Sequence, residues 1–297
     1  MSSQLFRCVA VAIAAATGSL ALADTPDFIA EKLTSDGRGY IDTHYCYRRA
    51  ADTSPKTSKV VLDYYDTDRC GYNNPYTSKT SRRTYFSFWK SDGKGLSHVN
   101  YSGTTAQIMG EDWKAVTPTP GSGDASVTLN YATGKGKWGG SGEFSLPAVS
   151  AWDMSETMSY YLFAWNYDGV AQSFGVFDLK NFRIYESADN GATETLVRDF
   201  VPCYANGRAG VYDRKTGEIC PATSDGFVLT GYDISLEAGK SLIVTPVCAS
   251  PRTLTLAAGS ELVFDGHATL VPEAPAVLPA EGTVAVSLTE STGRGRS

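Results

Sequence analysis

Asp153 and Glu156, in Ala151-Trp-Asp153-Met-Ser-Glu156, are the spacing in this sequence that comes nearest to acid–base chemistry. Cleavage of a glycoside with retention needs two carboxyl groups about 5–5.5 Å apart, one as nucleophile and one as acid. The same spacing is also a capping box, in which Asp153 accepts from a free backbone N–H at the start of one helical turn, and the segment asks for nothing more. Glu111 and Asp112 pair carboxylates too, but neighbours on a strand face opposite ways. A serine nucleophile would need a Gly-x-Ser-x-Gly elbow and a histidine partner. The elbow is absent, and His44, His98 and His267 are scattered. His44 follows the Gly39–Thr43 strand and reads as a surface residue.

Binding is better served. Sugars are held by aromatic faces, with amides and carboxylates for their hydroxyls. Trp113 and Trp138 sit in polar, glycine-rich surroundings (Glu111-Asp-Trp-Lys114 and Gly136-Lys-Trp-Gly-Gly140) and are the candidate ligand contacts, whereas Trp89 and Trp165 lie in strands and read as core. Asn166 and Asp168 could offer oxygen ligands to calcium, although a turn running into Gly169 explains them without a metal. Cys46 with Cys70 and Cys203 with Cys220 are the sequence-local pairings, with Cys248 left alone and Cys8 ahead of the mature chain. Closing the Cys203–Cys220 loop would contribute about 3 kcal/mol in an oxidising compartment. No Cys-x-x-Cys pair accompanies the histidines, which argues against zinc.

The elements that must position these residues are strands. Lys59–Tyr65, Thr84–Lys90 and Ser126–Tyr131 are strand-length and rich in β-branched and aromatic residues, and Tyr160–Asn166 is nearly all apolar, as a buried sandwich strand should be. Tyr85 and Trp89 have the opposite parity to Phe86 and Phe88, which suits a central strand covered on both faces. Phe177 and Leu179 are out of phase with Phe182 and Ile184; a β-bulge near Lys180-Asn181 would realign them, and a turn between two strands is the alternative. Asp213-Arg-Lys-Thr-Gly217 reads as a turn closed by glycine.

The ends differ from the middle. Arg7, the apolar run Val9–Leu22 and Ala21-Leu-Ala23 predict an export signal over residues 1–23, cleaved before Asp24. That run is too short to cross a bilayer as a mature helix, which needs roughly 20 residues. No later stretch could cross either, and the mature chain is expected to be secreted or at the cell surface. Residues 24–232 suit one all-β domain. From 233 to 271 short aliphatic runs recur at a rung-length interval, resembling the first coils of a parallel β-helix, and 272–297 read as a Pro/Gly-rich linker or tail. A net charge of −6 argues against nucleic acid and anionic membrane as partners.

Gly39-Tyr-Ile-Asp-Thr43, Leu162-Phe-Ala-Trp-Asn166, Phe182-Arg-Ile-Tyr185, Leu196-Val-Arg-Asp-Phe-Val-Pro-Cys203, Gly210-Val-Tyr-Asp213 and Gly217 occur in that order. Together they resemble the concanavalin A-like, laminin G-like lectin/glucanase domains of bacterial surface and phage-borne proteins, most specifically over Arg198–Gly217. The resemblance implies a two-sheet antiparallel jelly-roll sandwich whose concave face often binds carbohydrate. Glucanases of this fold carry Glu-x-Asp-x-x-Glu, and the position of the leading glutamate here is Ala151, so the nucleophile is missing. The expected protein is therefore a secreted, non-catalytic, lectin-like binder of carbohydrate or cell-surface glycan. A structural or adhesive domain at the head of a β-helical surface protein is the alternative, ahead of a glycan-cleaving hydrolase.

Overall fold

The computed structural model describes residues 25–47, 56–77, 82–89, 96–109, 113–116, 122–146, 158–236, 238–239, 241–244, 253–259, 261–264, 268–270 and 276–279. Every regular element among them is a strand. Two mainly antiparallel sheets pack face to face around one aromatic core, an all-β sandwich. The larger sheet runs from Phe144–Ser145 through Lys135–Trp138, Gly123–Asn130, Lys56–Asp66, Asp178–Ser187, Thr195–Ala205 and Phe28–Ser35 to Phe227–Leu236, with Arg208–Asp213 and Ile219–Pro221 branching from Thr195–Ala205. The smaller sheet pairs Ile41–Cys46 with Ser159–Leu162, then Arg82–Trp89, Leu96–Ser102, Thr105–Met109 and Trp113–Ala115.

The alternation in the sequence sets the inner faces. In Lys56–Asp66, Val60, Leu62 and Tyr64 are buried while Lys59, Val61, Asp63 and Tyr65 are partly exposed on the other side. Across the sandwich Phe86 meets Phe182 at 5.1 Å between ring centroids, and Tyr85 meets Tyr64 at 4.8 Å. Such aromatic pairs add about 0.5–1.5 kcal/mol each beyond the area they bury.

Two bulges decide which aromatics reach this core. The phase change between Phe177 and Phe182 is resolved by a register shift between Leu179 and Asn181 against the Lys56–Asp66 strand, with Lys180 as the extra residue. That is the bulge the sequence proposes. The reading of Arg82–Trp89 is corrected: the ladder slips between Thr84 and Phe86, so Tyr85 has no opposite number and turns inward beside Phe86 and Phe88, all three buried. Tyr85 therefore does not divide from Phe86 and Phe88, because a bulge lets consecutive side chains share one face; the Trp89 side chain lies outside the described residues. Tyr160–Asn166 is buried as expected but is two strands, Ser159–Leu162 and Trp165–Tyr167, broken at Phe163 with φ 65°. The Asp213–Gly217 turn closes through Gly217 N to Asp213 O at 2.8 Å, with φ 78° at the glycine.

Beyond Phe227–Leu236 the chain winds with a fixed period. Asp233 pairs in parallel with Thr253, and Ser241 in parallel with Glu261. Both registers advance by 20 residues, as successive coils of a β-helix do. The coiling then stops: Ala268–Leu270 and Ala276–Pro279 run back antiparallel against Glu261–Phe264 and Thr253–Leu256.

No helix among the described residues is long and apolar enough to cross a membrane.

Candidate functional site

The four middle strands of the larger sheet (Phe28–Ser35, Lys56–Asp66, Asp178–Ser187 and Thr195–Ala205) bury one face in the core and leave the other outside. Because Leu62, Phe182 and Phe200 point inward, Asp63, Arg183 and Asp199 point outward, and they converge on a cleft of about 850 Å³ that also takes in Lys32, Asn181 and Tyr185. That volume is in the range of small-molecule and oligosaccharide clefts, about 300–1,000 Å³.

Its floor is polar and largely held in place. The Arg183 guanidinium donates to the Asp63 carboxylate. Asn181 Nδ2 donates to Asp199 Oδ1 at 2.7 Å and to the Phe200 carbonyl at 3.1 Å, and Arg214 stands 3.9 Å from the other Asp199 oxygen. Asn181 Oδ1 and Arg183 Nε are buried with no hydrogen-bond partner among the described residues. At the edge, Lys59 Nζ lies 4.3 Å above the Tyr185 ring and Lys32 Nζ 4.6 Å above Tyr65. Isolated surface ion pairs contribute only about 0–1 kcal/mol to stability, so the value of this array lies in what it presents: fixed acceptors, fixed donors and ring surface side by side. Asp63 and Asp199 sit on strands either side of Asp178–Ser187, Asp63 opposite Asn181 and Asp199 opposite Arg183. Each is tied to a cation or amide. Such carboxylates are placed to accept hydroxyl hydrogens.

The residues singled out from the sequence fall elsewhere. Trp138 is corrected: it is fully buried, pairs with Val127, and its indole Nε1–H donates to Tyr64 Oη at 2.7 Å while its ring stands edge-on to Tyr85 at 5.5 Å. A ligand cannot reach it. Trp113 opens an edge strand of the smaller sheet opposite Met109, and its side chain lies outside the described residues, as do Asp153 and Glu156 entirely. Asn166 is buried, its Nδ2 donating to Ser159 O at 2.7 Å and its Oδ1 accepting from Gly169 N at 2.9 Å. The oxygen considered for calcium thus closes its own turn, and exposed Asp168 sits in that turn with φ 49°.

Cys46, Cys70, Cys203 and Cys220 carry thiols. The Cys203–Cys220 bond is corrected by register: Cys203 faces Gly210, and Gly210 faces Pro221, so Cys220 lies two strands from Cys203 and has the opposite parity. Two strand spacings come to roughly 9–10 Å, beyond the about 7 Å between Cα atoms that a disulfide tolerates. Burial pushes the Cys203 thiol up to about 12. The Cys46–Cys70 pairing is not formed either. Cys70 is fully buried against Gly175, where a Cβ would come within 2.4 Å of its sulfur.

The motif Gly210-Val-Tyr-Asp213 acquires a structural meaning. A Cβ at Gly210 would meet the Cys220 carbonyl oxygen at 2.5 Å, so only glycine lets that branch strand lie close. Asp213 is wholly buried and accepts from Asp199 N at 2.9 Å, Lys215 N at 3.0 Å and Thr216 Oγ1 at 2.7 Å. By fixing the backbone at Asp199, it fixes one wall of the cleft.

No family model matches the chain, and no curated protein matches it. Among solved structures it is similar to one described as a "putative carbohydrate binding protein" from Bacteroides ovatus, at 12% identity and a TM-score of 0.43, over 68% of this chain and 60% of that one.

Proposed function

We propose that this chain is an exported carbohydrate-binding protein of the concanavalin A-like kind that acts without covalent chemistry, and that its glycan lies across the outer face of the larger sheet. The observation that carries this reading is the cleft in which Asp63, Asn181, Arg183 and Asp199 present a fixed donor–acceptor pattern next to the Tyr185 ring. A polyol with several hydroxyls in fixed relative positions suits such a pattern, and each hydrogen bond to a charged partner is worth about 1.5–3 kcal/mol. The test is a glycan array with the whole chain, followed by affinities for Arg183→Ala and Tyr185→Ala. Both variants are expected to lose at least tenfold in affinity while the unfolding temperature stays nearly constant. A glycan ligand bound equally well by both variants would move the site off this face.

A structural or adhesive role is favoured by a separate observation, the two parallel coils with their 20-residue register. Coils of this kind bury their faces only against the next one. An array showing no glycan binding at all would leave this second reading standing.

A further inference from the structure

Among the described residues the Ile41–Cys46 strand pairs only with Ser159–Leu162, and Ile219–Pro221 only with Arg208–Asp213, so each is the edge of its own sheet. The two edges face each other where the sheets approach. Tyr40 and Thr223 lock them together: Thr223 N donates to Tyr40 O at 3.0 Å, and Tyr40 N donates to Thr223 Oγ1 at 3.0 Å. Just beyond this lock the ladder of Ile41–Cys46 is interrupted, with Asp42 opposite Tyr161 but Cys46 opposite Ser159. The residues between are bulged, and His44 among them takes φ 52°, with its N–H held by Asp42 Oδ1 at 2.8 Å. Bulges re-aim side chains. This one sends the imidazole to the other sheet, where His44 Nδ1 stands 2.7 Å from Glu218 Oε1. Cys220 lies beneath them, and the His44, Glu218 and Cys220 ligand atoms are all within 4.8 Å of one another.

We propose that His44 Nδ1, the Glu218 carboxylate and Cys220 Sγ form a zinc-binding clip between the two edge strands. Imidazole, carboxylate and thiolate together are a zinc donor set, with bonds of about 2.0–2.3 Å and hence ligand separations of roughly 3.3–3.6 Å in a tetrahedron. The present group needs to contract by about 1 Å at its widest, which rotation of the partly exposed Glu218 and His44 side chains provides. The charges acting on Cys220 from Glu218, Asp42 and Asp213 are all negative, so a dication entering here meets attraction from every one. On binding, the metal takes the His44 Nδ1 lone pair and a Glu218 oxygen, the proton that lay between them passing to His44 Nε2 or to solvent, and the thiol releases its proton to solvent as the Zn–S bond forms. Water fills the fourth position from the open side. The clip is independent of the sheet-face cleft and of any glycan.

The experiment titrates the whole chain, kept reduced, with cobalt(II) and then zinc. One equivalent of cobalt is expected to raise a thiolate-to-cobalt charge-transfer band that zinc then bleaches. Cys220→Ser should abolish the band, Cys203→Ser should keep it, and His44→Ala and Glu218→Gln should each weaken cobalt binding at least tenfold. Zinc in excess should raise the unfolding temperature, and a chelator should reverse this. No saturable band in the reduced chain, or a band that survives Cys220→Ser, overturns the proposal. Should Cys220→Ser fail to fold, His44→Ala and Glu218→Gln decide: both side chains are partly exposed, and unchanged affinity in the two overturns it equally.

Discussion

Replacing Trp138 with alanine separates a core residue from a ligand contact. The indole is wholly buried, donates one hydrogen bond to Tyr64 and packs edge-on to Tyr85 at 5.5 Å and against Tyr101 at 5.6 Å. Truncating a core tryptophan costs about 3–5 kcal/mol. For a domain of this size each kcal/mol moves the midpoint by about 2–4 °C, so the loss should be on the order of 10 °C. Trp138→Phe keeps a ring but leaves the Tyr64 hydroxyl without its donor, which costs about 1–3 kcal/mol. If the bond itself is the cause, combining Trp138→Phe with Tyr64→Phe should cost less than the sum of the two by on the order of 1 kcal/mol. Urea unfolding followed by far-ultraviolet circular dichroism reads all five proteins, the parent included. A Trp138→Ala chain within about 0.5 kcal/mol of the parent would refute the core assignment, and loss of glycan binding in that stable variant would restore this ring as a contact.

Two further outcomes test the turns that frame the sheet. Asp189 is held down to about 2 by hydrogen bonds from the Ser187 hydroxyl and then from Thr193. Because this lies below its ordinary 3.8, the stability it contributes is present above that value and is lost as pH falls through about 2. A carboxyl NMR titration should find the low midpoint in the native protein and a rise toward 3.8 in Ser187→Ala; a native midpoint already near 3.8 would dismiss it. Asp213→Ala removes the buried acceptor of three hydrogen bonds and leaves Arg198, 3.3 Å away, without its carboxylate. Urea unfolding should show a loss of about 3–5 kcal/mol, and a loss under about 1 kcal/mol would mean that the turn holds without it.

Local pattern sufficed where the information was local. Composition marked Lys59–Tyr65 as a strand, and the phase change after Leu179 asked for a bulge or a turn near Lys180-Asn181, where Lys180 became the extra residue of a bulge. The Asp213–Gly217 turn was legible for the same reason: both ends of its closing hydrogen bond lie within five residues. What depended on partners far along the chain was not legible. Trp138 sits among glycines and lysines, which locally describe an exposed loop, yet its strand pairs with Val127 and its ring closes a core built from residues 64, 85 and 101. The sheet-face cleft draws its polar groups from positions 63, 181, 183 and 199, and the His44–Glu218 contact spans 174 residues. Side-chain parity along an unbroken stretch of strand is local, so the sequence determined it there; at Tyr85 a bulge against the neighbouring strand reset it. Burial and convergence are properties of which strands become neighbours, and that is decided only when the sheets assemble and pack.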